Sequence, residues 1–222
     1  MYRLSVAIWY TVGPNNRCCA NVLSCRIECV PIVKVWDCQA VTPDDPDVSG
    51  WLPEFLPADE QFAQQAERLR SLVGSRITGA WIVWNLEDDK WFADLPVVLQ
   101  FDHLPQLELC WEKFDDLSIT WDTVDLTVTP KAWVEWPLEW REQAHPAVAS
   151  VVGTTVDQIS ATTSRFVTQN VDHPHEVRAV WLMTGLWLAT SRGGLHIFNA
   201  LDENSLESRL PARGADHDVR PI

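Results

Sequence analysis

The sequence predicts an α+β fold of two similar units, each one helix followed by a small antiparallel sheet. The first observation is a repeat: one helical pattern ends in Val73-Gly74, and a second ends in Val152-Gly153, 79 residues later. The second observation is that a stretch rich in β-branched residues follows each glycine, which is typical of a strand. The composition, 46% hydrophobic and 22% charged, is that of a globular chain.

The first unit is predicted over residues 59–130. Asp59 is the expected N-cap of a helix over 60–73, because apolar residues recur there at helical spacing and Gly74 suits the C-cap. A polar turn follows the first strand. Four strands are predicted from β-branched, aromatic or alternating patterns, over residues 77–84, 96–101, 106–111 and 117–121.

The second unit is predicted over residues 131–210, with a helix over 137–152. Its acidic residues near the start and its Val-Gly end resemble those of the first helix. Strands are expected over 155–160, 177–182 and 195–198. The tail over 211–222 is polar and is expected to fray.

The N-terminal residues differ in composition from the rest of the chain. Five of the six cysteines precede residue 39, and residues 1–34 hold four basic side chains and one acidic one, while the whole chain carries −14. Two interpretations stay open: an atypical Cys-rich extension, in which CxxxC could contribute to a zinc site, or a mis-assigned start at a downstream Val codon. Residues 35–58 are a predicted linker rich in Pro and Asp.

The charge and the missing motifs exclude several function classes. A net charge of −14 argues against a partner such as nucleic acid, whose phosphates require Lys and Arg. No apolar run is long enough for a transmembrane helix, so no membrane partner and a cytoplasmic location are expected. Because nucleotide-binding loops, GxSxG and HExxH are missing from the sequence, we expect no cofactor and no catalytic residues.

Acidic clusters and one tryptophan are the candidate partner-binding residues. Complementary charge speeds association with a basic protein, and Trp is enriched at binding hot spots. The alternative is that the clusters are solvated turns and that Trp packs in the core, as expected for the tryptophans in predicted strands, Trp81, Trp111, Trp121 and Trp181. The candidates are Glu87, Asp88, Asp89, Trp91, Asp115, Asp116, Asp202 and Glu203.

The histidines and the lone downstream cysteine give few chemical candidates. His173 and His175 flank a proline and are the residues most suggestive of metal binding, but exposed loop histidines are the simpler interpretation for all six. Cys110 lies in an apolar predicted strand, where a thiol is usually inert.

Two stretches, Cys110–Trp121 and Phe198–Asn204, resemble segments of small acidic bacterial proteins of uncharacterised function, some of which resemble immunity proteins of toxin systems. The resemblance covers roughly residues 60–207 and carries over no functional residues. The charge of −14, the surplus of tryptophan, the acidic turns and the missing catalytic motifs predict a non-catalytic acidic binding protein, and the resemblance suggests the immunity type, which neutralises a basic toxin. The alternatives are a self-assembling scaffold subunit and a metal-dependent hydrolase that uses Asp115, Asp116 or the His173/His175 pair.

Overall fold

The computed structural model describes residues 47–133, 136–169, 175 and 177–222. The predicted extension over 1–34 and the linker up to residue 46 lie outside these residues. The chain divides into two compact units, Met1–Thr42 with Gln169–Val177, and Pro43–Thr168 with Arg178–Ile222. Three residues of the first unit are described, so the fold given below is that of the second.

The predicted α+β class is wrong, because the fold is mainly β. Of the described residues, 50% lie in strands and 12% in helices, and the strands form two sheets. The helices are α1 (Ala58–Ser71) and α2 (Pro146–Val151). No helix among the described residues has the length and apolar character that crossing a bilayer requires.

The first sheet has seven strands, β1 (Leu56–Pro57), β2 (Ile77–Asn85), β3 (Lys90–Trp91), β4 (Val97–Phe101), β5 (Leu107–Glu112), β6 (Asp116–Trp121) and β7 (Leu138–Glu142). Its order is β1-β6-β5-β4-β2-β3. Strands β4 and β3 pair with successive parts of one edge of β2, and β7 pairs with the opposite edge. All of these pairs are antiparallel. The strands predicted over 77–84, 96–101, 106–111 and 117–121 are confirmed to within two residues at each end.

Helix α1 confirms the first predicted helix, although its N-terminus differs from the expectation. Phe62 and Leu69 are buried, and acidic residues in the first turn and arginines in the last complement the helix dipole. The predicted N-cap is wrong, because Pro57 occupies that position without a side-chain hydrogen bond. Asp59 lies within the first turn instead.

The helix predicted over 137–152 is also wrong. Residues 138–142 form β7, in which Leu138 is buried against the first sheet, and only residues 146–151 are helical. Pro146 explains the division, because a proline fits the first turn of a helix and disrupts a helix interior. The His145 Nδ1 caps the new helix by accepting a hydrogen bond from the Ala147 amide at 3.2 Å.

The second sheet has five strands, β8 (Val156–Gln169), β9 (Val177–Thr190), β10 (Gly193–Asn199), β11 (Asn204–Glu207) and β12 (His217–Pro221). Its order is β11-β10-β9-β8-β12. The expectation of a frayed tail is wrong for residues 217–221, because β12 pairs with β8 from Ser164 to Ser160 and Val219 is buried.

One large hydrophobic core joins both sheets and both helices, and a smaller cluster covers the other face of the first sheet. The large core includes Leu109 of the first sheet and Ile197 of the second, whereas the smaller cluster includes Val83 and Val98. Because the first sheet is covered on both faces, β4 and β5 are buried along almost their whole length, and the buried residues of β5 include Glu108.

The two glycine junctions lie against each other. Gly74 and Gly153 have φ of +90° and +80°, which favour glycine. The Gly74 amide donates to the Val156 carbonyl at 2.8 Å, and the Gly153 amide donates to the Ile77 carbonyl at 2.8 Å. Two further bonds, Ile77 to Thr154 and Val156 to Ser75, each 2.9 Å, are related in the same way. The four hydrogen bonds thus form two reciprocal pairs, and in each pair one bond is converted into the other by replacing each residue with the one 79 positions away.

Candidate functional site

The first predicted acidic turn lies between β2 and β3, and its three carboxylates are exposed: Glu87, Asp88 and Asp89. Asp88 forms an ion pair with Lys90 at 2.8 Å. Asp89 accepts hydrogen bonds from Trp84 Nε1 at 2.9 Å and from the Arg141 guanidinium at 3.3 Å. The Trp84 hydrogen bond and then Arg141 hold the pKa of Asp89 below its usual range. Two of the three charges therefore already have partners within this part of the first sheet.

Trp91 packs inward in the fold and is not an exposed anchor. It lies in β3, is half-buried, and packs against the large core. Its ring centroid is 5.8 Å from that of His145. The indole nitrogen is buried and has no hydrogen-bond partner among the described residues. The other expectation for tryptophan holds for Trp111, which is buried, and is wrong for Trp181, which is 46% exposed.

The other predicted carboxylates lie at two turns that the structure brings together. Asp115 precedes β6 and Asp116 is its first residue, and Asp202 and Glu203 lie between β10 and β11. Asn199 joins the turns, since its Nδ2 donates to the carbonyls of Lys113 at 2.8 Å and Phe114 at 3.2 Å. Lys113 and Asp202 also form an isolated β-bridge. These four carboxylates, with Asp94 beside Asp202 and Glu203, are called the acidic edge below.

Carboxylates of the acidic edge repel one another. Partial desolvation raises the pKa of Asp94, and the charge of Asp202 adds to the effect. The pKa of Glu203 is also raised, by desolvation first and then by Asp94, with Lys90 opposing. Desolvation and the neighbouring Asp116 raise the pKa of Asp115. Lys113 already pairs with Asp116 at 3.9 Å, and the like-charge contacts that remain at the edge are ones that a further cation could relieve.

The metal and thiol candidates gain no support from the described residues. His173 lies outside them, and His175 is exposed. No group of three or more His, Cys, Asp or Glu side chains in the described part of the chain could hold a metal ion. Burial raises the pKa of the Cys110 thiol to about 12, so the group stays protonated and unreactive at neutral pH.

A pocket that the sequence did not indicate lies on the outer face of the second sheet, opposite the core, and is called the outer-face pocket below. Its volume is about 320 Å³. Its apolar lining consists of Phe114, Phe166, Leu182, Phe198, Leu201 and Pro211. Its polar lining consists of Thr162, Ser164, Thr184, His196, Asn199, Glu207 and His217.

The strand register explains how these residues come together. Side chains alternate along β10, so Leu195 and Ile197 enter the core while His196 and Phe198 point outward. Pairing across the sheet sets Glu207 opposite His196 and His217 opposite Ser164. Directly paired residues share a face, which gathers polar groups from several strands into the pocket.

Gly185 makes room at the centre of this face. A Cβ there would lie 2.5 Å from His196 Nε2, 2.6 Å from Thr162 Oγ1 and 2.8 Å from the Phe198 Cβ. The missing side chain lets His196 and Thr162 meet across β9, with Nε2 and Oγ1 2.9 Å apart.

The hydroxyl groups form a second chain beside this pair. Ser164 Oγ lies 3.0 Å from Thr184 Oγ1 and 3.2 Å from His217 Nδ1. Each hydroxyl can donate one hydrogen bond and accept others, so this part of the pocket offers adaptable, uncharged hydrogen-bonding groups.

His196 is held as a neutral imidazole. It is 4% exposed, its ring stacks on Phe198 at 4.6 Å, and its Nδ1 has no hydrogen-bond partner among the described residues. Burial, with a smaller effect of His217, lowers the pKa of His196 to about 4. The expectation of an exposed loop histidine is therefore wrong at this position. No sequence signal short of the strand register could have identified the pocket.

The contact between Ser164 and His217 in the pocket can be compared with a catalytic pair. A serine next to a histidine begins a nucleophile–base pair, but such a pair also needs a group that orients the base and donors for an oxyanion. The described residues place no carboxylate in hydrogen-bond contact with His217.

Comparison of the chain with protein-family models, with curated proteins and with solved structures finds no match.

Proposed function

We propose that the protein is a non-catalytic binding protein whose acidic edge binds a basic protein partner, as an immunity-type protein binds a basic toxin. The observation that carries the proposal is the convergence of the turns that hold Asp115/Asp116 and Asp202/Glu203, which lie far apart in the sequence. Carboxylates from distant parts of the chain thus form one surface.

The electrostatics of the acidic edge support a cationic partner. The raised pKa values of Asp94, Asp115 and Glu203 reflect desolvation together with repulsion between neighbours. A lysine or arginine brought to this surface would relieve that repulsion. The chain charge of −14 would in addition steer a basic protein toward it from a distance.

Affinity capture of the chain at its native level from its own cells tests this function. We expect a stoichiometric basic protein that dissociates as salt is raised, because salt screens exposed charges. The double variant Asp202→Asn/Glu203→Gln should lose most of the captured basic protein. The matched control, Glu60→Gln/Glu67→Gln, removes the same charge from the exposed side of α1 and should retain it. Background recovery alone, or equal loss in both variants, contradicts the proposal.

Self-assembly as a scaffold is a second candidate, and exposed apolar residues of β8 and β9 favour it. Val167, Val180 and Trp181 are 47%, 48% and 46% exposed. Exposed apolar clusters often mark protein–protein contacts. Light scattering of the full chain should show oligomers that Trp181→Ser weakens, whereas a strict monomer at high concentration excludes this function.

A further inference from the structure

The apolar lining of the outer-face pocket is rich in phenylalanine. The rings of Phe114 and Phe166 make an edge contact with centroids 4.4 Å apart, and Phe198 lies stacked on His196. Aromatic side chains favour stacked or edge-on contacts with another ring. At about 320 Å³, the pocket is at the small end of ligand sites and fits one ring rather than a fused system.

The charges around the pocket select against anions. Glu207 is the one acidic side chain among the described lining residues, and none of them is Lys or Arg. Phe114 and Leu201 belong to the two turns of the acidic edge, so the pocket adjoins turns that hold four carboxylates and one ammonium group, that of Lys113. A ligand with a protonated amine would be attracted to these carboxylates, and a carboxylate or phosphate would be repelled.

The remaining lining provides hydrogen-bonding hydroxyl and imidazole groups. Ser164, Thr184 and His217 form a connected set that can donate a hydrogen bond to a ligand hydroxyl or accept one from it. His196 adds no positive charge at neutral pH, because burial keeps its pKa at about 4.

From these three features we infer that the outer-face pocket binds a small aromatic amine, a single ring that bears a protonated amino group and a hydroxyl. The ring contacts the phenylalanines, the ammonium faces Glu207 and the acidic edge, and the hydroxyl bonds to the serine–threonine–histidine set. This site does not depend on the protein partner proposed above.

Three probes that share a phenol ring and differ in charge test the inference on the full chain: tyramine, p-cresol and 4-hydroxyphenylacetate. Calorimetry at physiological salt should rank tyramine tightest and 4-hydroxyphenylacetate weakest. In NMR spectra, tyramine should shift the imidazole signals of His217 and leave those of His103, an exposed residue outside the pocket lining, unchanged.

A matched pair of variants separates the pocket from the general field of the protein. Glu207→Gln should weaken tyramine binding about two- to fivefold, as expected for one exposed ion pair, and leave p-cresol binding unchanged. Glu67→Gln removes the same charge from α1 and should change neither. The inference is overturned if tyramine does not bind, if 4-hydroxyphenylacetate binds equally well, or if Glu67→Gln has the same effect as Glu207→Gln.

Discussion

Asn204 is buried between the two sheets, and its replacement by Asp should destabilise the fold severely. Its Nδ2 donates to the carbonyls of Ala93 at 2.7 Å and Leu95 at 3.0 Å, and its Oδ1 accepts from the Trp111 amide at 3.0 Å. Aspartate would put an oxygen beside two carbonyl oxygens. The two lost hydrogen bonds lower the free energy of unfolding by about 1 kcal/mol each. The Ala93 carbonyl still accepts from the backbone amide of residue 204, but the Leu95 carbonyl loses its side-chain donor, which adds about 1–3 kcal/mol.

Asn85→Asp is the matched control, because Asn85 is equally buried but its Nδ2 has no hydrogen-bond partner among the described residues. Both variants bury a carboxyl group, and only Asn204→Asp loses donated hydrogen bonds. We therefore expect the free energy of unfolding to be about 3–5 kcal/mol lower in Asn204→Asp than in Asn85→Asp. Urea unfolding, followed by tryptophan fluorescence and circular dichroism, measures the free energy of unfolding of each variant. A difference below about 1 kcal/mol would refute the role of Asn204 as a bridge.

Three further predictions concern the glycines and the buried histidine. Gly185→Ala should lower the free energy of unfolding by about 1–3 kcal/mol, because the new Cβ overlaps His196 and Thr162. Gly214→Ala should be neutral, because its Cβ would lie 3.9 Å from the Ala212 carbonyl oxygen, an ordinary contact distance, and urea titrations compare the two variants. Stability should fall by about 3 kcal/mol as pH decreases from 6.5 to about 4, because the unfolded chain accepts the proton that folded His196 excludes, and His196→Phe should remove this part of the pH profile. Gly74→Val and Gly153→Val should each cost about 1–2 kcal/mol, because both residues have positive φ, and unchanged melting temperatures would contradict this.

The strands of the first sheet were predictable, and the class of the fold was not. Residues 77–121 alternate or run apolar between polar turns, so local pattern and tertiary structure agree there. Residues 137–152 were misleading because their apolar spacing fits a helix, while pairing with β2 makes the first part a strand and Pro146 starts a short helix after it. Tertiary pairing of this kind overrides local propensity.

The candidate site was predictable only in its charges. The acidic turns are visible in the sequence, but their convergence depends on Asn199, whose amide reaches a turn more than eighty residues away. The outer-face pocket depends on strand register and on the space left at Gly185. Neither property is encoded in a local pattern.

The reciprocal hydrogen bonds at the glycine junctions relate β2 to β8. The correspondence shows that equivalent faces of the two sheets differ in what covers them. With the same offset of 79 residues, Ile82 corresponds to Ala161, and both side chains lie in the shared core. Val83 corresponds to Thr162, but Val83 is sealed beneath the smaller apolar cluster and Thr162 lines an open pocket. The face of the first sheet that holds Val83 therefore contributes to stability, whereas the equivalent face of the second sheet, which holds Thr162, is open to a ligand.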